Sequence, residues 1–303
     1  MAKQIGVLSR SKEYLPTIKL LSAINHYNDV SGVFITTQYV FPLIHSSSAD
    51  ALFANQSLNP LIGIIPRIGR TQTDLGLLIL KNFELMDLPS TLTSEALYLS
   101  RDKFRCFQVL SSIPGIRLPK TLLVNNTYQL AELFNTFRFP IVIKIPNSSR
   151  GTGTILAPNP KVAEDIIETL FIRSPMPILI QELLKNEHKG KKITPADIRV
   201  LYVGDQIIGS MKRIASKGEW KTNYAQGAVC EQYKLQPENE ELIHQIVNRL
   251  GIEVAGIDLF PTQEGLFVLE VNACPGWKAF ETVHPNINVA QLIVDYLMTK
   301  IRH

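Results

Sequence analysis

Two apolar runs separated by a short polar turn, Gly256-Ile257-Asp258-Leu259-Phe260 and Leu269-Glu270-Val271-Asn272, constrain this chain more than any other part of it. The intervening Pro261-Thr262-Gln263-Glu264-Gly265 reads as a hairpin turn. Glu270 and Asn272 are two apart, so in a strand both side chains leave one face, and Asp258 on the preceding strand can converge with them. Three oxygen donors of this kind suit a hard cation. Mg2+ fits best, because it takes a few carboxylate or amide oxygens and completes its octahedron with water and substrate phosphates.

The rest of the chain must fold around that hairpin. With 303 residues it has room for a large core and two or three domains. A hydrophobic content of 45% beside 19% charged residues is that of a globular protein. No apolar run approaches the roughly 20 residues of a membrane span, and the start of the chain lacks a signal-peptide pattern, so a cytoplasmic protein without membrane contact is expected. Cys106, Cys230 and Cys274 are far apart and odd in number, which argues against a disulfide framework or a zinc site. The net charge of +4 is modest despite a basic cluster at Lys185, His188, Lys189, Lys191 and Lys192, so anionic substrates are favoured over dedicated nucleic-acid binding.

Strands and helices alternate at the start: Gln4 to Ser9, a helix from Leu15 to His26, strands at Val33 to Thr36 and Leu61 to Ile65, and a helix from Leu75 to Met86. That order predicts a small α/β domain with a parallel sheet, ending near residue 95. Ser94 is read as the cap of one helix running through Arg101-Asp102-Lys103 to Leu110. From Leu118 the pattern is strand, helix, strand, glycine loop, strand, helix, strand, with Val142 to Ile145 and Ile178 to Gln181 as two of the strands. Ile198 to Val203 and Gln206 to Lys212 flank a Gly204-Asp205 turn, Pro237 to Leu250 is a helix closed by Gly251, and Val289 to Met298 is a terminal helix.

Several further residues point to a nucleotide. Lys144 sits inside an apolar strand, where an ammonium needs a partner. It is followed by Asn147-Ser148-Ser149-Arg150-Gly151-Thr152-Gly153-Thr154, whose small residues let backbone amides approach a phosphate. The loop is neither a Walker A loop nor a Rossmann fingerprint. Asp197, Arg199, Lys212, Arg213, Lys221 and Asn223 follow the strand that ends at Gln181-Glu182-Leu183. Beside three metal ligands they form a set suited to phosphate and carboxylate.

The ordered motifs Ser100-Arg101-Asp102-Lys103, Ile143-Lys144, Arg150-Gly151-Thr152-Gly153, Gln181-Glu182, Asp197-Ile198-Arg199, Met211-Lys212-Arg213, Thr222-Asn223, Gly256-Ile257-Asp258 and Glu270-Val271-Asn272 resemble the ATP-grasp superfamily, and within it the RimK-type α-L-glutamate ligases. The similarity extends into the first domain through Ile65-Pro66-Arg67-Ile68-Gly69 and Gly76 to Glu84. It implies an α/β fold of three units: a parallel pre-ATP-grasp domain at 1–95, a central α+β lid at 96–182, and a C-terminal α+β unit with an antiparallel sheet at 183–303.

The resemblance also implies roles. Lys103 and Lys144 would contact the phosphates of ATP under the loop of Arg150, Gly151, Thr152 and Gly153. Glu182 and Leu183 would frame the adenine, Asp197 the ribose side, and Lys221, Thr222 and Asn223 the phosphate side. Asp258, Glu270 and Asn272 would hold Mg2+, as a pair of ions in many relatives and with Mn2+ able to substitute, while Arg199 and Arg213 would receive the substrate carboxylate or the developing acyl phosphate. The implied reaction is carboxylate-amine ligation with glutamate favoured as the amino acid, a protein, peptide or small molecule as acceptor, and a dimer or tetramer as the working form. The same chemistry on another amino acid, carrier protein or cofactor is the nearest alternative; a catalytically silent nucleotide-binding module and a kinase-like phosphotransferase are others. The chain departs from the family pattern where substrate would sit: a longer segment between Gln181 and Arg199, Asn223-Tyr224-Ala225-Gln226-Gly227-Ala228, and Ala273-Cys274-Pro275-Gly276-Trp277-Lys278-Ala279-Phe280 after the last metal ligand.

Overall fold

The computed structural model describes residues 3–145, 153–173, 176–185, 187–188, 191–192, 194–216 and 228–302. The chain opens with β1 (Lys3–Ser9), α1 (Leu15–Ile24) and β2 (Val30–Thr36), continues through a small antiparallel meander, β3 (Val40–His45), β4 (Ser48–Phe53) and β5 (Gln56–Ser57), and returns as β6 (Leu61–Arg67). The sheet order is β2-β1-β6 with both pairings parallel, as the alternation predicts. The meander is an addition that the sequence reading leaves unassigned.

Next come α2 (Thr73–Leu85), α3 (Ser94–Arg101) and α4 (Lys103–Leu110). Here the expectation of one helix is corrected. Thr93, not Ser94, caps α3, its hydroxyl accepting from the Ala96 N–H at 3.1 Å. Asp102 then leaves helical geometry and caps a second helix, its carboxylate accepting from the Arg105 N–H at 2.8 Å. An aspartate competes for backbone donors in this way, and the break sets Lys103 at the start of α4.

A four-stranded sheet follows, built from β7 (Thr121–Val124), α5 (Leu130–Phe134), β8 (Ile141–Lys144), β9 (Thr154–Ala157), α6 (Pro160–Arg173) and β10 (Ile178–Glu182), in the order β7-β10-β8-β9 with antiparallel pairs. Ile141, Ile143, Ile178 and Ile180 bury one face of it against Phe134, Ala163 and Ile167. The other face carries Lys144 opposite Leu179.

After a two-residue pair, β11 (Glu187–His188) with β12 (Lys191–Lys192), come β13 (Ala196–Val203), β14 (Gln206–Ile214), β15 (Val229–Tyr233), α7 (Pro237–Leu250), β16 (Val254–Thr262), β17 (Gly265–Asn272), α8 (Lys278–Val283) and α9 (Val289–Arg302). The large sheet runs β15-β14-β13-β16-β17, antiparallel throughout. The turn between β16 and β17 is tighter than expected: Thr262 pairs with Gly265, leaving Gln263 and Glu264 as the loop. Along β13 the side chains alternate. Ile198, Val200 and Tyr202 pack on Ile243, Ile246 and Val247 of α7, whereas Leu201 and Val203 join Trp277, Phe280 and Ile293 on the opposite side. Arg199 belongs to that second face.

Candidate active site

Register across the large sheet brings the charged residues together. Arg199 pairs with Asp258, Asp258 with Glu270, and Asp197 with Arg213. Residues directly opposite in an antiparallel pair project from the same face, so one row of side chains crosses three strands. Arg199 donates through Nη1 to both oxygens of Asp258, at 3.0 and 3.2 Å. Arg213 reaches the same carboxylate at 3.0 Å and clasps Asp197 with Nε and Nη2 at 2.6 and 2.7 Å. Both Asp197 and Arg213 are buried. Burial works against the charge of Arg213, but Asp258 and Asp197 outweigh it and raise its pKa above the ordinary guanidinium range.

At the edge of the row Glu270 collects a different pair of cations. Lys103, at the start of α4, lies 2.8 Å from its Oε1, and Arg70 donates to the same oxygen. Burial alone would raise the pKa of Glu270; Lys103, Arg70 and then Lys144 override it and hold the carboxyl well below its usual range. The carboxylate is therefore ionised at any working pH.

Lys144 approaches from the four-stranded sheet. Its ammonium donates to Gln181 Oε1, and Gln181 is fixed in turn by donating to Thr121 Oγ1 at 2.9 Å. Burial, reinforced by the positive field of Lys103 and opposed by Glu270, lowers its pKa to about 8. Glu182, the last residue of β10 and next to Gln181, accepts from the Lys120 N–H at 2.7 Å, with half-buried Leu183 beside it. Gly153 has a φ of +75° at the entry to β9, and its carbonyl accepts from the Ile145 N–H at 2.9 Å. Arg150, Gly151, Thr152, Lys221, Thr222 and Asn223 lie outside the described residues.

The three expected metal ligands share one face. Asp258 and Glu270 are cross-strand neighbours, and Asn272 follows two residues on, its side-chain oxygen accepting from the Cys274 N–H at 2.9 Å. Among the described residues no three His, Cys, Asp or Glu side chains gather as a metal-holding group, so the set rests on two carboxylates and an amide. As donors they fit Mg2+: all are hard oxygens, and Glu270 stays charged.

Sequence reading gave no role to three cations here, although Arg67 and Arg101 stand in its motifs. Besides Arg70, Arg101 donates to the Ile68 carbonyl at 2.9 Å within the field of Glu270, and buried Arg67 donates to the Pro275 carbonyl at 2.5 Å. Their partners are up to 208 residues away in the chain. For Arg67 a signal was present, since it closes an apolar strand of a parallel sheet, the end where ligands of such sheets bind.

Residues 100–297 match the RimK-like ATP-grasp domain and residues 3–97 the RimK PreATP-grasp domain. The chain belongs to the RimK-like ATP-grasp family. It is 34% identical over 296 residues to a probable alpha-L-glutamate ligase of Cellvibrio japonicus, covering 97% of this chain and 95% of that one. A second, from Trichodesmium erythraeum, is 33% identical with the same coverage. Among solved structures the fold is similar to the ATP-grasp ligase PsnB complexed with a minimal precursor (TM-score 0.74, 17% identity, 99% of each chain) and to D-alanyl-alanine synthetase A of Vibrio cholerae (TM-score 0.70, 18% identity, 100% of each chain). Membership makes this chain an ATP-dependent, ADP-forming amide-bond ligase. Among the described residues no helix is long and apolar enough to cross a membrane.

Proposed function

We propose that this RimK-like ligase joins glutamate, through its amine, to a carboxylate on a peptide, protein or small-molecule acceptor, by way of an acyl phosphate. One observation carries the reading: among the described residues, six cationic side chains, Arg70, Arg101, Lys103, Lys144, Arg199 and Arg213, gather around three carboxylates, Asp197, Asp258 and Glu270, with Arg67 nearby on the Pro275 carbonyl. Such a surplus calls for a polyanion, and ATP with a substrate carboxylate supplies one. We assign Lys103 and Lys144 to the phosphates, Glu182 and Leu183 to the base, and Arg199 and Arg213 to the carboxylate that attacks the γ-phosphate. We assign Asp258, Glu270 and Asn272 to Mg2+, which would neutralise the phosphate oxygens and hold them in line. The glutamate assignment rests on the names of the relatives at 34% and 33% identity.

The protein's own part in the first step is positional and electrostatic. A substrate carboxylate is already a nucleophile, so no general base is needed; Arg199 and Arg213 hold it while cations on the other side stabilise departing ADP. An amine then displaces phosphate from the acyl phosphate, leaving the amide and inorganic phosphate. The three units at 1–95, 96–182 and 183–303 would bring acceptor, lid and metal face together.

ADP release across the twenty amino acids and a set of carboxylate acceptors, with mass spectrometry of the products, tests this. Glutamate-dependent turnover with one new amide per ADP is expected, and repeating it with Mn2+ in place of Mg2+ tests the substitute ion. A phosphorylated product without an amide would overturn the ligase reading.

A further inference from the structure

We propose that Arg67 and the indole N–H of Trp277 form a seat for a carboxylate of the amine-donating amino acid, an inference that rests on the ligase reading above. Arg67 ends β6 and pairs with Ser9 at the end of β1. From these adjacent strand ends the chain departs to opposite sides of the sheet. Leu20, Ala23 and Ile24 of α1 pack with Ile5 and Val7, whereas Ile79, Leu80 and Phe83 of α2 pack with Leu8 and Ile64. The carboxyl ends of β1 and β6 therefore flank a topological switch point, the crevice in which open parallel sheets bind ligands.

Arg67 is only 6% exposed and Trp277 only 1%. The guanidinium stacks over the indole, 4.7 Å from its centroid, and spends one Nη2 hydrogen bond on the Pro275 carbonyl. Among the described residues its Nε–H has no acceptor, and neither has Trp277 Nε1–H. No carboxylate among the described residues forms an ion pair with Arg67. Buried donors without partners are rare in folded proteins. Two such donors on stacked side chains, one of them carrying a charge with no ion-pair partner among the described residues, point to an anion: a water would satisfy the hydrogen bonds but leave the charge.

Pro275 links this seat to the metal face. A Cβ built on Gly256 would come within 2.8 Å of Pro275 Cβ and 2.6 Å of Arg199 Nη2, so Pro275 lies between Arg67 and Arg199. The buried Arg199 Nε likewise has no partner among the described residues, while its Nη1 holds Asp258. The phosphate-directed cations Lys103 and Lys144 lie with Glu270, leaving the Arg67 side for the second substrate. A planar carboxylate matches the Nε–Nη edge of a guanidinium, and the indole adds one further donor.

Initial rates of ADP release decide the matter, with L-glutamate and its two carboxamides, L-isoglutamine and L-glutamine, as probes. In Arg67→Gln the KM for L-glutamate is expected to rise about 10- to 100-fold, the loss typical of a charged hydrogen bond, with the KM for ATP within about twofold of the parent. Trp277→Phe keeps the stacked ring and deletes only the N–H, so it should fold and raise the same KM several-fold. The parent enzyme should discriminate against one carboxamide, and Arg67→Gln should lose that discrimination. An unchanged KM for L-glutamate in folded Trp277→Phe and Arg67→Gln, or equal rises for ATP and amino acid, would overturn the seat alone. Absence of amino-acid-dependent ADP release by the parent enzyme across all twenty amino acids would overturn the ligase reading and the seat with it.

Discussion

On the proposed placement of Lys144 beside the phosphates, nucleotide binding should be coupled to proton uptake. Its ammonium donates to Gln181, and burial with the field of Lys103 lowers its pKa from 10.5 to about 8. That gap corresponds to about 3 kcal/mol disfavouring the charged form. The sign follows from linkage: below pH 8 the folded protein carries the whole penalty, and between pH 8 and 10.5 the unfolded chain binds more protons, so stability rises with pH over that window. Phosphates placed beside Lys144 reverse the balance and restore the proton. At pH 8.5 about three-quarters of the lysines are neutral beforehand, so binding should take up about 0.75 proton, against about 0.1 at pH 7. Calorimetric titration with a non-hydrolysable ATP analogue in buffers of different ionisation enthalpy measures this number directly. Lys144→Arg, charged in both states, should still bind but lose the uptake at pH 8.5. Equal uptake in that variant, or no rise between the two pH values, would refute the assignment of Lys144 to the phosphates.

Other perturbations test the remaining parts. Glu270→Ala should abolish ATP turnover while the protein stays folded by circular dichroism; undiminished ADP release would remove Glu270 from the metal set. Asp197→Ala leaves buried Arg213 with Asp258 as its only ion-pair partner among the described residues, and should lower the unfolding free energy in urea by about 3 kcal/mol; a change under about 1 kcal/mol would mean the pair is solvated. Gly256→Ala sets a Cβ 2.6 Å from Arg199 Nη2 and 2.8 Å from the rigid Pro275 Cβ, so kcat/KM should fall about tenfold or more and thermal stability should drop with it; parent-like kinetics would show that Arg199 can move without consequence.

What could be read from the sequence was local. The β13–β14 hairpin announces itself through Gly204, whose φ of +68° the turn requires, and α7 through Pro237 at its first turn and Gly251 at φ +62° beyond its end. The β3–β5 meander went unread because its turns place Ser46, Ala54 and Asn55 at positive φ, where the usual signal is glycine. The break before Lys103 was missed because Asp102 lies inside a helical pattern and acts as a cap only once the Arg105 N–H turns to it. Glu270 and Asp258 stood out because two neighbouring strands carry them, whereas Arg67, Arg70 and Arg101 come from a different sheet and its following helices. Such long-range pairing leaves no periodicity behind.

That division explains the site's electrostatics. The first domain and the start of α4 contribute only cations to the row, while all three carboxylates come from the large sheet. Glu270 is neutralised across that boundary by Arg70 and Lys103, and Asp258 within its own sheet by Arg199 and Arg213. On the ligase reading, arriving phosphates give Lys103 and Arg70 other anions to face, which frees Glu270 for a divalent ion. A substrate carboxylate does the same for Arg199 and Asp258. Each carboxylate is thus kept soluble in the protein by a cation that the reaction later needs, and neither has to be buried as an unpaired charge at any stage.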